Sequence, residues 1–241
     1  MNFFLSIPLI LVIFSCSKEN ETQKSNINYT SIGTSVGIFQ NSLTDIDYNV
    51  YKTVKIGTQT WMVENLKTTK YNDGTIISKI TDKNKWSNID SGAWNYYNDN
   101  VSNNDKYGKL YNWFAIKNNT VGNKNICPVG WHVPNEIEWS ILIEHLGGES
   151  VTGGKMKEVG FTSWQNPNSE ATNSSLFTGL PGGIRNSNGY FDDIGSNGYW
   201  WSSNQANTKN AWFRKLYSYD DAIGRDDLNK NCGLSIRCIK D

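Results

Sequence analysis

The sequence predicts one loop-rich α+β domain behind an N-terminal leader and tether. Three features carry this reading: a period-two hairpin near residue 50, one well-capped helix after Pro134, and a C-terminal half in which short apolar and aromatic segments alternate with Gly, Asn and Asp clusters. The 241 residues include 10 Trp, 12 Tyr and 9 Phe but are only 37% hydrophobic, so burial must come from aromatics more than from aliphatics. With 21 Gly and abundant Asn, turns and irregular connections dominate, which argues against a helical bundle.

The elements follow in order. Val50 to Ile56 alternates, Gly57-Thr58-Gln59 turns, and Thr60 to Leu66 resumes, giving a β-hairpin. Lys67 to Lys106 shows no sustained period and reads as a long loop with short elements. Gly108 to Ile116 reads as a helix with Leu110, Trp113 and Phe114 on one face. The strongest helix starts at Asn135, a capping residue. Glu136 and Glu138 in its first turn complement the dipole, Ile137, Ile141 and His145 share a face beside Trp139, Leu142 and Leu146, and Gly147-Gly148 ends it. A short helix over 154–159 follows. Strands are expected at Leu176 to Ile184, Gly198 to Asn204, Ala211 to Tyr219 and Gly233 to Lys240, the last returning beside the first.

Charge and address come next. Twenty-three basic residues balance 23 acidic ones, so a nucleic-acid partner is not expected. Phe3 to Phe14 is an apolar run too short to span a bilayer and suits a secretory signal peptide. It ends at Ser15-Cys16, which resembles the lipobox of bacterial lipoproteins; on that resemblance residues 1–15 are the leader and Cys16 carries the lipid. The alternative is a plain signal peptide cut elsewhere. Residues 16–44 are rich in Ser, Asn and Thr and read as a flexible tether, and residues 45–241 form the domain. The expected location is the outer membrane, facing the cell surface or the periplasm, with the membrane reached through the lipid alone.

Three cysteines then remain. Cys232 and Cys238 lie on one predicted strand about 20 Å apart, too far for a disulfide, so Cys127 pairs with one of them, Cys238 being favoured. A structural zinc site lacks ligands, since only His132 and His145 are present beside these thiols.

Six phrases occur in order: YKTVKIGTQTWMVENL (51–66), YGKLYNWFA (107–115), CPVGWHVPNEIEW (127–139), LPGGIR (180–185), YWWSS (199–203) and LSIRCIKD (234–241). Together they resemble the Fibrobacter succinogenes major paralogous domain, a family of secreted proteins and lipoproteins. The His132 to Trp139 phrase also resembles the Arg-Leu-Pro-Thr-Glu-Ala-Glu-Trp motif of formylglycine-generating enzymes. Both resemblances imply a C-type lectin-like fold, with a terminal β-hairpin, two helices and a small antiparallel sheet carrying long loops. Formylglycine formation in those enzymes depends on a pair of cysteines that bind copper, whereas only Cys232 lies near the corresponding region here.

The signature tryptophans, Trp61, Trp113, Trp131, Trp139, Trp200 and Trp201, are expected to pack the core, His132 to be a hydrogen-bonded structural residue, and Pro181-Gly182-Gly183 to form a backbone turn. No nucleophile, base and orienter assemble, so no catalytic residue is expected. The fold that the resemblance implies presents ligands on loops within about Arg185 to Asn210. There Arg185, Asn186, Asn188, Tyr190, Asp192, Asp193, Asn197 and Asn204, with Tyr199 among them, mix amide, carboxylate and aromatic groups suited to a glycan or protein ligand. No cofactor is expected; the calcium alternative would use Asp192, Asp193 and Asn197. Asn166-Pro167-Asn168 is a partial echo of the sugar-binding motif of calcium-dependent lectins, without their Trp-Asn-Asp. The expected function is that of a non-catalytic, lipid-anchored envelope binding module. A divergent formylglycine-generating-type enzyme and a structural adhesion component are the alternatives.

Overall fold

The computed structural model describes residues 37–116 and 124–241, so the leader, Cys16 and most of the predicted tether lie outside the described residues. Strands β1 (Ile38–Phe39), β2 (Leu43–Thr44) and β3 (Val50–Tyr51) lead into the hairpin arms β4 (Thr53–Ile56) and β5 (Gln59–Met62). Next come β6 (Ser78–Lys79), α1 (Lys83–Ser87), β7 (Ala93–Asn95), α2 (Asn103–Tyr107), β8 (Leu110–Asn112), β9 (Trp131–His132), α3 (Glu136–His145) and α4 (Glu149–Met156). The C-terminal part holds β10 (Gly182–Arg185), β11 (Phe191–Ile194), β12 (Asn197–Gln205), β13 (Asn210–Tyr217), β14 (Ile223–Asn229), β15 (Gly233–Leu234) and β16 (Ile239–Lys240).

These strands make a five-stranded sheet, β1-β4-β5-β16-β9, a six-stranded sheet, β11-β10-β15-β8-β7-β6, and a three-stranded antiparallel sheet, β12-β13-β14, beside the small β2-β3 pair. The architecture is mixed α and β, as expected. The last strand returns to the first hairpin: Ile239 pairs with Trp61, and Met62 and Leu66 donate to the carbonyls of Cys238 and Ile236 at 3.0 and 2.8 Å. Gly57 turns the hairpin at φ +61°, where a side chain would be strained and would also strike His145 at 2.9 Å. β1 pairs with β4 through Ile38↔Lys55 and Phe39↔Val54, so ordered pairing begins ahead of the predicted boundary at residue 45.

The core is double. Trp200 and Trp201 are neighbours on β12 and so point to opposite faces. Trp200 packs with Trp61, Trp139, Leu142 and Phe177, and Trp201 with Tyr111, Trp113, Phe213 and Leu234. All six signature tryptophans are buried, and most of their indole N–H groups find carbonyl or amide oxygens, such as Trp201 Nε1 to Tyr111 O at 2.8 Å. The disulfide joins Cys127 to Cys238 with Cα atoms 6.0 Å apart, while Cys232 is a buried thiol. No helix among the described residues is long and apolar enough to cross a membrane.

Several expectations are corrected. The segment predicted as a helix over 108–116 is strand β8 followed by a 3-10 turn over Trp113–Ala115. Tyr111 there is paired on both sides, with Trp94 and with Leu234, and this tertiary pairing overrides the local helical pattern. In α3 the capping box is present, with Asn135 Oδ1 accepting from the Glu138 N–H at 3.0 Å and Glu138 Oε2 accepting from the Asn135 N–H at 2.8 Å. Its buried stripe, however, is Trp139, Leu142 and Ile143, while Ile137 is 72% and Ile141 42% exposed. Both stripes satisfy helical spacing, and the one holding Trp139 buries more apolar surface.

The second helix begins earlier than expected, at Glu149, and passes through Gly153 because a Cβ there would lie 2.2 Å from the Ala222 carbonyl. Two further helices, α1 and α2, are single turns. Leu176 and Thr178 adopt φ of +57° and +55°, so the predicted strand over 176–184 is confined to its end, β10. The terminal strand divides into β15 and β16, which serve different sheets. Strands β11 and β14 lie in charged segments whose alternation is hidden.

Candidate functional site

The hairpin of β10 and β11 packs against β12 and leaves a cleft of about 270 Å³ between itself and the face of the three-stranded sheet. Register assembles that face. Tyr199 lies opposite Lys215, and Phe213 opposite Asp226, so Phe213, Lys215 and Tyr217 alternate onto one side of β13. Buried Ile184 and Phe213, with Leu228, supply the apolar part of the cleft, and Asn186, Asp192, Asp193, Tyr199, Lys215, Tyr217, Gly224, Arg225 and Asp226 the remainder.

The polar groups divide by whether the protein already satisfies them. Tyr199 donates its hydroxyl to the Asp193 carboxylate, and burial together with that bond holds the phenol well above its ordinary pKa. Arg225 is tied through Nε to Glu136 at 2.6 Å and lies 3.6 Å from the Trp212 ring centre. Asp192 and Asp226 each accept one N–H from the following residue at 2.8 Å. Lys215 differs. Its ammonium lies 5.0 Å from the Tyr199 ring and 4.7 Å from the Tyr217 ring, yet makes no hydrogen bond or ion pair among the described residues. Burial pushes it below its ordinary pKa, and Asp193 and Asp226 oppose that.

Of the residues predicted to contact ligand, Asn186, Asp192 and Asp193 line this cleft. Asn188 and Tyr190 sit at the tip of the same hairpin, where Lys83 Nζ lies 3.6 Å from the Tyr190 ring centre. Three others are turned to structural work. Arg185 is fully buried: it stacks on Trp86 at 4.2 Å and donates to the carbonyls of Ile80, Thr81 and Gly189, stapling the long 67–106 loop to β10. Asn197 is buried, and Asn204 Oδ1 accepts the Glu136 N–H at 2.8 Å at the start of α3. The Asp193 carboxylate is already taken by Tyr199 and Asn197 is buried, and no group of three or more His, Cys, Asp or Glu suited to a metal occurs among the described residues. Asn168 of the lectin-like echo is buried, its amide donating to the carbonyls of Glu158 and Gly160 at 2.9 and 2.8 Å.

Lys215, Tyr217, Arg225 and Asp226 were missed because they lie beyond the loop stretch. The period-two series Phe213, Lys215, Tyr217 was the available signal. Burial of the cation around carbonyls recurs elsewhere. Lys157, brought down to about 8 by burial, donates to the carbonyls of Ser169, Tyr217 and Asp220 at 2.7, 2.9 and 2.7 Å. Lys109, also brought to about 8 by burial, reaches the Lys67 carbonyl and Asn104.

A second cavity of about 300 Å³ beside the disulfide is lined by Leu43, Ile46, Ile126, Pro128 and Val129. Its charged groups are already spent, Lys70 on Asp47 at 2.9 Å and Asp45 on Tyr51 and Asn49. The cleft over the three-stranded sheet is the better candidate. Neither histidine lines it: His132 lies between Asp241 and Glu138 at 2.6 and 2.7 Å, and His145 lies by Gly57. Cys232 is held at about 11 by burial, the opposite of an activated thiolate.

Residues 54–240 match the model of the Fibrobacter succinogenes major domain. The chain belongs to that family. The matched stretch of this Fibrobacter succinogenes major domain runs from the first hairpin to the last strand and contains both the cleft and the disulfide. No curated protein and no solved structure matches the chain.

Proposed function

We propose that this Fibrobacter succinogenes major domain is a non-catalytic binding module of the cell envelope, anchored by lipid on Cys16, and that it takes a glycan or protein ligand in the cleft over β12-β13-β14. The observation that carries the reading is Lys215, a half-buried ammonium in that cleft with no hydrogen-bond acceptor among the described residues. A half-buried ammonium that no protein acceptor takes is available to donate to a ligand oxygen in place of water. The cleft brings together no nucleophile with a base and an orienter, which favours binding over catalysis. The pairing of the terminal strand with the first hairpin supports a C-type lectin-like fold. The apolar run before Cys16 and the polar residues after it support an outer-membrane lipoprotein facing the surface or the periplasm.

Arrays of glycans and of surface proteins, probed with the full chain with and without Ca²⁺, test the binding reading. Hits lost on Lys215→Met support it, and a blank array with no effect of Ca²⁺ moves weight to a structural envelope role. Palmitate labelling undiminished in Cys16→Ala would sink the anchor. Copper binding with oxidation of a peptidyl cysteine would replace the binding module with the enzyme.

A further inference from the structure

The open groups of the cleft are a matched set. Lys215 Nζ offers donors, the Asn186 side chain offers a donor and an acceptor, and Asp192 and Asp226 each keep an oxygen that takes no hydrogen bond among the described residues. They surround Ile184, Phe213 and Leu228. A ligand meeting this set needs donors and acceptors side by side on a small, partly apolar body.

Charge narrows the choice. Asp192, Asp193 and Asp226 outnumber the two cations that line the cleft, Lys215 and Arg225, the latter sharing the Glu136 carboxylate with Arg214. The balance is negative, so a ligand carrying carboxylate or sulfate would be repelled in a partly desolvated site. A hydroxyl donates and accepts at once, which satisfies Lys215 and a neighbouring aspartate together.

We infer that the cleft binds an uncharged saccharide without calcium, with Lys215 donating to a sugar oxygen and Asp192 and Asp226 accepting from its hydroxyls. This rests on the binding-module reading and names its ligand class. A metal is not required, because the oxygen acceptors that a calcium ion would otherwise hold are offered here to hydroxyl protons. Lys215 is then the specificity-determining residue, because its ammonium is the cleft's uncommitted cation among the described residues.

The test is affinity electrophoresis of the full chain, alongside Lys215→Met and Asp226→Asn, in gels cast with dextran, mannan, galactan or polygalacturonate. Retardation by at least one neutral polymer is expected, unchanged by EDTA and weakened about tenfold or more by Lys215→Met, as loss of a charge-assisted hydrogen bond implies. Thermal midpoints equal to wild type verify that the variants fold. Stronger retardation in polygalacturonate overturns the uncharged-ligand assignment and leaves the binding module standing. Loss of retardation in EDTA overturns the calcium-free assignment in the same way. No retardation in any gel overturns the saccharide; if a protein hit on the arrays still depends on Lys215, only this inference falls, and if none does, the module reading falls with it.

Discussion

Asn65 is the residue through which three separated signature phrases meet, and its replacement tests whether those phrases encode one buried node. Its Oδ1 accepts from Arg237 Nη2 at 2.9 Å and from Trp200 Nε1 at 2.8 Å, and its Nδ2 donates to the Tyr107 carbonyl at 2.9 Å and to Ser235 Oγ at 3.1 Å. Arg237 is fully buried, with Phe177 and Thr178 carbonyls as its other acceptors and the Phe177 ring 4.0 Å away. Asn65→Ala removes one charge-assisted bond of about 1.5–3 kcal/mol and neutral ones of about 1 kcal/mol each, and leaves the buried Arg237 guanidinium with only its carbonyl acceptors and the Trp200 indole N–H with none. Because the members are coupled, the sum is not additive, and a net loss of about 3–5 kcal/mol is expected. At about 2–4 °C per kcal/mol for a chain of this size, the melting midpoint falls by roughly 6–20 °C. Urea denaturation followed by Trp fluorescence measures the loss directly. Asn65→Asp, which keeps the acceptor, should recover part of it. A loss below about 1 kcal/mol for Asn65→Ala would refute the node.

Four further outcomes are expected. Glu136→Ala strands Arg214, which is 2% exposed and bound to both Glu136 oxygens at 3.0 and 3.1 Å, and should cost about 3–5 kcal/mol. Arg225→Ala, on the more exposed side of the same carboxylate, should cost about 1 kcal/mol or less by the same denaturation, and equal losses would count against the burial argument. Burial works against charge on His132, but its hydrogen bonds to Asp241 and Glu138 outweigh that and raise its pKa. Its stabilising contribution is thus full below about pH 6.5 and lost as pH rises through the raised value. The melting difference between wild type and His132→Gln should be larger at pH 5.5 than at pH 8.5, and a constant difference would contradict the charged clamp. Finally, Cys238→Ser opens a loop of 111 residues and should lower stability by about 2–5 kcal/mol under oxidising conditions, read from the denaturation midpoint.

The local half of the fold was legible in the sequence. Val50 to Leu66 alternates with a glycine turn, Asn135 and Glu138 stand three apart ahead of an apolar run, and Trp200-Trp201 sit in a strand; each signal is carried by residues within one or two turns of chain. The cysteine pairing was legible in part: the sequence narrowed it to Cys127 with Cys232 or Cys238 and favoured the Cys238 that the disulfide uses, although the single strand this assumed divides into β15 and β16. What local pattern could not decide was anything set by partners distant in sequence. Gly108 to Ile116 has a helical face, yet Trp94 and Leu234 pair with Tyr111 on either side and make it a strand.

The candidate site shows the same division. Sequence reading reached the stretch that forms one wall, Asn186 with Asp192 and Asp193, because the family resemblance implies ligand-bearing loops within about Arg185 to Asn210, where clustered amides and carboxylates are visible in one dimension. It also assigned Arg185, Asn197 and Asn204 to the ligand. A buried cation and an exposed one read identically until the carbonyls around them are known: Arg185 meets those of Ile80 and Thr81, over a hundred residues earlier in the chain. By itself the sequence determined the family, through its six ordered phrases, and the hairpin, the capped helix, the neutral charge and the aromatic core, through composition and short-range periodicity. The tertiary structure alone decided that Lys215 faces Tyr199 across two strands and stands without an acceptor beside Asp226, because cross-strand register fixes which side chains converge.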